Sequence, residues 1–336
     1  MADGGDAAIA LRMESVLSSS GANTPSSQSW LERTPFLRDE SPFLQVQSVL
    51  YNTTFADLRR SVESLVRAAE ISMSETGSVR AVTLAVGDSS PLPCLEDADI
   101  AALTLMCEPY VFLTYTWFAA NFGSARGHNT LAEGTEADYI FLTNPDIVVS
   151  PRTLDFLLEP FQRSAVGMTE AKQLPIEHPK SYDPVTGETS WASGACSVIP
   201  TSVFRELQGY DADSFFMYCD DVDLAWRVRQ LGLRVVHQPA ATVFHDKRVG
   251  SDLTVPPSQA EKYHSAEAAL ILAHKWSRPD LVENILAEFD AHGQDYHQAA
   301  AAAFRERRDN NRLPTPVDPD HEVGQFIAGQ YAEHRF

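Results

Sequence analysis

The chain has 336 residues, 44% of them apolar and 21% charged, which is ordinary globular composition with enough apolar material for a sizeable core. Acidic side chains number 46 against 26 basic ones, a net charge of -20. Such a surface repels polyanions, so nucleic acid is not an expected partner. A phosphorylated ligand would need its charge neutralised locally, by a metal ion or a few placed cations.

Residues 1–41 are rich in Ser, Gly, Ala, Asn and acids without periodicity and read as a flexible extension, with a short helix around Ala7 to Leu17. The start lacks the basic and apolar pattern of a secretory signal. Leu44, Val46, Ser48 and Leu50 then alternate with Gln45, Gln47 and Val49, a strand pattern whose second face is polar. Thr54 with Asp57 resembles a helix cap, and Leu58, Val62, Leu65, Val66 and Ala69 fall on one face of the helix that follows. Further strands are expected at Ala81 to Val86, Tyr110 to Thr116 and Asp138 to Leu142. The longest apolar stretch, Ile100 to Phe122, is broken by Glu108 and Pro109 and reads as two elements of a globular fold, with no transmembrane segment. Strand followed by helix, repeated, implies a mostly parallel sheet covered on both faces, with ligands beyond the carboxyl ends of the strands.

The second half opens with a short apolar run at Ala195 to Ile199 and a helix from Asp221 to Leu231. Two short strands are expected at Leu233 to Val236 and Ala241 to Phe244. Beyond Ser251 the pattern is helical, over Glu261 to Trp276, Asp280 to His292 and Asp295 to Arg308, and residues 313–336 read as a loose tail. Cys94, Cys107, Cys196 and Cys219 form no CxxC pair, so a zinc ribbon or redox motif is not indicated. Reduced thiols and the missing signal place the protein in the cytoplasm, with peripheral association to the inner face of the cell membrane left open.

Four constellations can carry chemistry. Asn144-Pro145-Asp146 follows an apolar strand and can present an oxygen ligand to a hard divalent cation, although alone it is simply a turn sequence. Asp220-Asp221-Val222-Asp223 puts three acids at a helix start, where capping accounts for one or two of them. Like charges so close raise one another's pKa, a tension found at acid/base sites. His245 ends a strand and is followed by Asp246, Lys247 and Arg248, so a metal-binding imidazole would stand beside two cations able to face phosphate. Asn121 to Asn129 is a Gly-containing loop, weak by itself.

Taken in order, Tyr51-Asn52, Asp88-Ser89-Ser90, Asn121 to Asn129, Asn144-Pro145-Asp146, Trp191-Ala192-Ser193-Gly194-Ala195, Gly209-Tyr210-Asp211, Phe215 to Tyr218, Asp220 to Arg227 and His245 resemble the family 2 glycosyltransferases. Within them the likeness is to the rhamnosyltransferase-like branch, where Asn-Pro-Asp stands in for the metal-binding Asp-X-Asp. It covers roughly residues 42 to 276. Two positions depart from the usual pattern: Gly87-Asp88-Ser89-Ser90 replaces Asp-Asn-Gly-Ser, and Asp220 replaces the more frequent Glu.

The resemblance implies an α/β protein of GT-A fold, with the transferase domain at 42–250 and a C-terminal helical region at 251–312. It implies inverting transfer of a sugar from a nucleotide diphosphate donor, dTDP-rhamnose or a UDP-sugar, to a glycan or lipid-linked acceptor. Asp221 would be the general base. Asp146, with His245 as second ligand, would bind Mg2+ or Mn2+. Asn52, Asp88, Asn121, Gly123, Arg126, Asn129, Asn144, Trp191, Ser193, Gly194 and Asp220 would line the donor and acceptor pocket. A sugar-phosphate nucleotidyltransferase is the first competing reading, but it calls for an N-terminal Gly-rich loop with basic residues, and residues 42–60 offer only Arg59 and Arg60. The second is a non-catalytic glycan-binding or scaffolding protein, against which the retained Asp146, Asp221 and His245 speak.

Overall fold

The computed structural model describes residues 41–163, 165–177, 180–246 and 257–332. The chain divides after Pro35, and every described residue falls in the second unit, Phe36–Phe336. The expected extension at 1–41, apart from Ser41, lies outside the described residues, as do Lys247 and Arg248.

Among the described residues nine strands form one sheet: β1 (Phe43–Leu50), β2 (Ala81–Asp88), β3 (Val111–Trp117), β4 (Tyr139–Thr143), β5 (Ile147–Val149), β6 (Val166–Leu174), β7 (Glu188–Thr189), β8 (Cys196–Pro200) and β9 (Arg234–His245). Their spatial order is β3-β2-β1-β4-β8-β6-β9-β5, with β7 pairing β9 at the side. The strands β3, β2, β1 and β4 run parallel, as do β6 and β9, while β8 runs against both its neighbours and β5 and β7 run against β9. The sheet is thus mostly parallel and flanked by helices, as the sequence implies.

Helices on one face are α1 (Phe55–Glu70), α2 (Asp97–Cys107) and α4 (Thr153–Leu158), and α3 (Gly123–Ala132) follows β3. The other side carries α6 (Asp220–Gln230), α7 (Gln259–Lys275), α8 (Pro279–His292) and α9 (Asp295–Asp309), while α5 (Thr201–Glu206) follows β8. Thr54 caps α1 by accepting the Asp57 N–H at 3.2 Å, and Leu58, Val62, Leu65, Ala68 and Ala69 are buried beneath it. Two apolar cores result, and β4 feeds both, because successive strand residues point to opposite faces. Phe141 joins Leu44, Val46 and Leu58 in one core, whereas Ile140 and Leu142 join Trp226, Leu272 and Trp276 in the other.

Three expectations need correction. The polar side of the first strand does not keep it from the middle of the sheet: β1 is central and Gln45 and Gln47 are buried. Their amides are satisfied internally, since Gln45 Nε2 donates to Leu131 O at 2.8 Å, Thr135 Oγ1 donates to Gln45 Oε1 at 2.6 Å, and the Gln47 amide lies 3.2 Å from His128 Nδ1. Burial pushes His128 down to about 4, so it is a neutral partner there. The two short strands expected around Pro239 are one strand, β9, which passes the proline by a register shift that places Thr242 next after Gln238 in its pairing with β6. Finally, residues 313–332 are laid against the helices rather than loose. Val317 N–H donates to Lys275 O at 2.7 Å, and Phe326 packs edge-on to Trp226 at 5.2 Å between ring centroids. A strand at β6 was not expected at all. Among the described residues no helix is long and apolar enough to cross a membrane.

Candidate active site

The carboxyl ends of β1, β2, β4, β6 and β9 share one edge of the sheet, and the antiparallel β8 begins there. The chain leaves β4 at Thr143, and the Asn144 N–H donates to Ala195 O at 3.1 Å, which fixes the Asn-Pro-Asp turn against the loop entering β8. The next residue in that loop faces α6: Gly194 N–H donates to Asp221 Oδ2 at 3.0 Å. Val222 N–H donates to Asp221 Oδ1 at 2.8 Å, so each oxygen of this half-buried carboxylate holds one backbone donor. A Cβ on Gly194 would stand 3.3 Å from Asp221 Cβ and 3.2 Å from the Tyr210 hydroxyl, so close approach is a reason for glycine there.

Asp146 and His245 meet because β5, directly after the turn, pairs with the end of β9, Ile147 opposite His245. Asp246 N–H donates to Asp146 O at 3.1 Å, and His245 Nε2 lies 3.4 Å from Asp146 Oδ1. On its other side His245 Nδ1 sits 2.9 Å from Gln173 Oε1, at the end of β6. Were Nδ1–H to donate to that amide oxygen, the Nε2 lone pair and a carboxylate oxygen would face one another, an arrangement able to hold a cation. One carboxylate and one imidazole would suit a hard divalent ion, for which Asp146 and His245 would be the protein ligands. Among the described residues no group of three or more His, Cys, Asp or Glu side chains forms a self-sufficient metal cage.

The three acids of α6 have three environments. Asp221 faces the Gly194 loop. Asp220 is buried, and burial together with the neighbouring Asp221 charge pushes its carboxyl up to about 7 despite a hydrogen bond with Ser124. Asp223 points into the protein, where it pairs with Arg227 Nε at 2.8 Å and Lys275 Nζ at 2.7 Å and accepts from Trp276 Nε1 at 3.1 Å. The entry to this helix is strained: Tyr218 and Cys219 have φ of 65° and 56°, a left-handed conformation that non-glycine residues rarely adopt in succession.

The remaining expected residues are placed unevenly. Gly123 (φ 65°) lies against Phe216, where a Cβ would fall 2.3 Å from the carbonyl oxygen, and Ser124 N–H donates to that same oxygen at 3.2 Å. The start of α3 is thereby tied to the approach to α6. Asn121 accepts the Gly123 N–H at 3.1 Å, and the Arg126 guanidinium lies 5.2 Å from the Phe122 ring centroid. Asn129 is engaged at both ends of its amide by the Tyr210 backbone, at 2.8 Å each. Asn52 is exposed after β1, its N–H donating to Ser90 Oγ at 2.8 Å.

Asp88, expected to touch the nucleotide, is fully buried. Its oxygens accept from Ser90 N–H and Cys94 N–H at 2.8 Å each and from the Tyr115 hydroxyl at 2.5 Å. Burial alone would raise its carboxyl, but these hydrogen bonds outweigh it and hold the group below its ordinary value. As placed, Asp88 shapes the 88–94 turn and offers no open oxygen.

Trp191 is buried under Lys180, whose Nζ lies 3.9 Å from the ring centroid. Lys180 is one of several polar residues near the site that the sequence reading missed. It pairs with Glu170 on β6, and Glu170 Oε1 accepts the Ser193 N–H at 2.9 Å. Burial pushes Glu170 up, but the Lys180 charge, the nearby His237 and the hydrogen bond from Lys180 hold it low. Glu170, Gln173 and Lys180 carried no local signal, because a strand reading Thr-Glu-Ala-Lys-Gln does not look buried.

No protein-family profile matches the chain. Among curated proteins it is similar to the N-acetylglucosaminyl-diphospho-decaprenol L-rhamnosyltransferases of two Mycobacterium tuberculosis strains, with 26% identity over 167 residues, 38% of this chain and 53% of each relative. It is also similar to the rhamnosyltransferase WbbL of Escherichia coli K12, 34% identical over 55 residues, 16% of this chain and 20% of that one. The chain thus spans about half the length of the mycobacterial relatives. Among solved structures it resembles the mannosyltransferase PcManGT of Pyrobaculum calidifontis in complex with GDP-Man and Mn2+, with a TM-score of 0.50, 15% identity and coverage of 84% of this chain and 86% of that one. GalNAc-T7 with UDP, GalNAc and Mn2+ gives a TM-score of 0.57 at 13% identity, covering 84% of this chain and 60% of that one. The mixed, mostly parallel sheet flanked by helices is that of the GT-A glycosyltransferase fold. Within that class, the sequence is similar to rhamnosyltransferases over part of its length.

Proposed function

We propose that the chain is an inverting glycosyltransferase that moves a sugar from a nucleoside diphosphate to a hydroxyl of a glycan or lipid-linked acceptor. The observation that carries this reading is the linkage of two carboxylate-bearing turns through one loop: Asn144 of the Asn-Pro-Asp turn binds Ala195, and Gly194 beside it binds Asp221. In a single in-line displacement the acceptor oxygen bonds to the anomeric carbon, its proton passes to Asp221, and the bond from that carbon to the diphosphate oxygen breaks. Asp221 is held in place by its two backbone donors, so positioning contributes much of the acceleration. Burial and the adjacent Asp221 charge raise the Asp220 carboxyl, which favours its neutral form beside Asp221. Asp146 and His245 would hold Mg2+ or Mn2+, which supplies Lewis-acid stabilisation of the leaving diphosphate. This also answers the charge of -20, since the cation accompanies the anionic donor.

The rhamnosyltransferase relatives favour dTDP-rhamnose as donor over a UDP-sugar. A lipid-linked acceptor would bring a cytoplasmic protein to the inner face of a membrane without crossing it. The test is a panel of nucleotide sugars with and without Mn2+, read by thermal stabilisation and by release of nucleoside diphosphate. Stabilisation by one donor, strengthened by metal and followed by nucleoside diphosphate release, is the expected result. Failure of every donor to stabilise the protein or to be consumed removes the proposal.

A further inference from the structure

The loop that carries Gly194 is gripped from below by a buried ion pair. Lys180 and Glu170 have side chains only 2% and 0% exposed. Lys180 Nζ donates both to Glu170 Oε2 and to Trp191 O, the latter at 3.1 Å, while Glu170 Oε1 accepts the Ser193 N–H at 2.9 Å. His237 Nδ1 of β9 stands 3.5 Å from Glu170 Oε2. The pair therefore holds the carbonyl of Trp191 and the amide of Ser193, and the next amide in the chain, Gly194 N–H, is the one bound to Asp221 Oδ2 at 3.0 Å.

We infer that Lys180 and Glu170 are positioning residues for the catalytic carboxylate, acting through the Trp191–Gly194 backbone. This rests on the transferase reading, in which Asp221 is the base. A buried pair is a poor way to gain stability, because the desolvation of two charges offsets most of their attraction, and apolar replacements of similar size are often tolerated. What an apolar pair cannot do is accept the Ser193 N–H. The Gly194 amide would then be free to drift from Asp221, and a displacement of about 1 Å at a reacting group costs on the order of 100-fold in rate.

Two double variants of the full chain separate the roles. Lys180→Met/Glu170→Gln removes both charges but keeps an amide oxygen for Ser193, whereas Lys180→Met/Glu170→Leu removes the acceptor as well. Both are expected to fold, the Leu version melting lower than the Gln version because its buried Ser193 N–H has lost its acceptor. The Leu version should turn donor over ~10 to 100-fold more slowly than the Gln version at unchanged donor KM. Hydrogen exchange followed by NMR should show the Gly194 amide opening on the order of tenfold faster in the Leu version, with amides of β4 unchanged. Should the Leu version not fold, Lys180→Arg against Lys180→Met takes its place, the arginine restoring both turnover and Gly194 protection. Equal turnover and equal Gly194 exchange within the pair compared overturns the inference, and so does a loss confined to donor KM. If no nucleotide sugar is turned over by the unmodified chain, the transferase reading falls, and the exchange measurement still decides whether the pair holds Gly194 on Asp221.

Discussion

The turn that closes β2 and the turn that opens α6 both place aspartates at the same edge of the sheet, and they are built in opposite ways. At the first, Asp88 is saturated by two backbone N–H groups and a tyrosine hydroxyl, and its carboxyl is held low. At the second, Asp220 is buried beside Asp221, its carboxyl is pushed up, and the chain reaches it through two successive left-handed residues. A carboxylate with every oxygen supplied is a brace for its own loop. A pair of acids kept close, on strained backbone, withstands a repulsion that a brace has no use for, and that tension is where chemistry belongs.

The contrast can be broken most forcefully at Asp221. Asp221→Asn is expected to lower turnover by about two to four orders of magnitude, the usual effect of losing a general base, with donor binding nearly intact. Weakened donor affinity at undiminished turnover would mean that the base lies elsewhere. At the opposite end of the reaction, Asp146→Ala should abolish the metal dependence of donor binding. Calorimetry that finds the same donor affinity with and without Mn2+ in the unmodified protein and the variant alike would remove Asp146 from the metal site. At the brace, Asp88→Ala leaves the Cys94 N–H and the Tyr115 hydroxyl without their acceptor and should destabilise by ~1–3 kcal/mol in denaturant titration. An unchanged midpoint would show that water or another group takes over.

The smallest effect, and the sharpest contrast in sign, is in the pH dependence of stability. Asp220 has a folded value of about 7 against an ordinary 3.8, so between about pH 4 and 7 the folded protein keeps a proton that the unfolded chain has released. Its contribution to stability falls as pH rises through that window and levels off above it. Asp88 behaves inversely: its stabilisation is present above the ordinary 3.8 and is lost as pH falls through its own lower value. Asp220→Asn should flatten the first slope and leave the second. A neutral-to-acid stability curve of the same shape in both proteins would contradict the assignment.

Much of this architecture could be read in advance where local rules dominate. The α1 cap and buried face follow from Thr54, Asp57 and the spacing of Leu58, Val62 and Leu65. Asn144-Pro145-Asp146 and His245 stood out as polar residues ending apolar strands. What stayed hidden depends on partners far along the chain. Nothing near Gln45 says that Thr135 and the Leu131 carbonyl will satisfy it 86 to 90 residues later. The polar face of β6 conceals a buried strand because Glu170 is paired with Lys180, and Gln173 Oε1 meets His245 Nδ1, through the tertiary fold. Asp223 looked like a third member of an acidic site, and only the arrival of Lys275 and Trp276 from α7 reveals that it faces inward. Pro239 gave a true break in the strand pattern but not its outcome, since a bulge carries β9 past it.

The packing of Phe326 against Trp226 bears on biosynthesis. These rings are 100 positions apart and meet at 5.2 Å, with Trp276 on another edge of Trp226 at 5.0 Å. A ribosome releases the chain from its amino end, so the tryptophan pair emerges well before the phenylalanine that covers it. During that interval the nascent protein carries an uncovered aromatic surface, a natural docking point for a holdase and the place where premature self-association would begin.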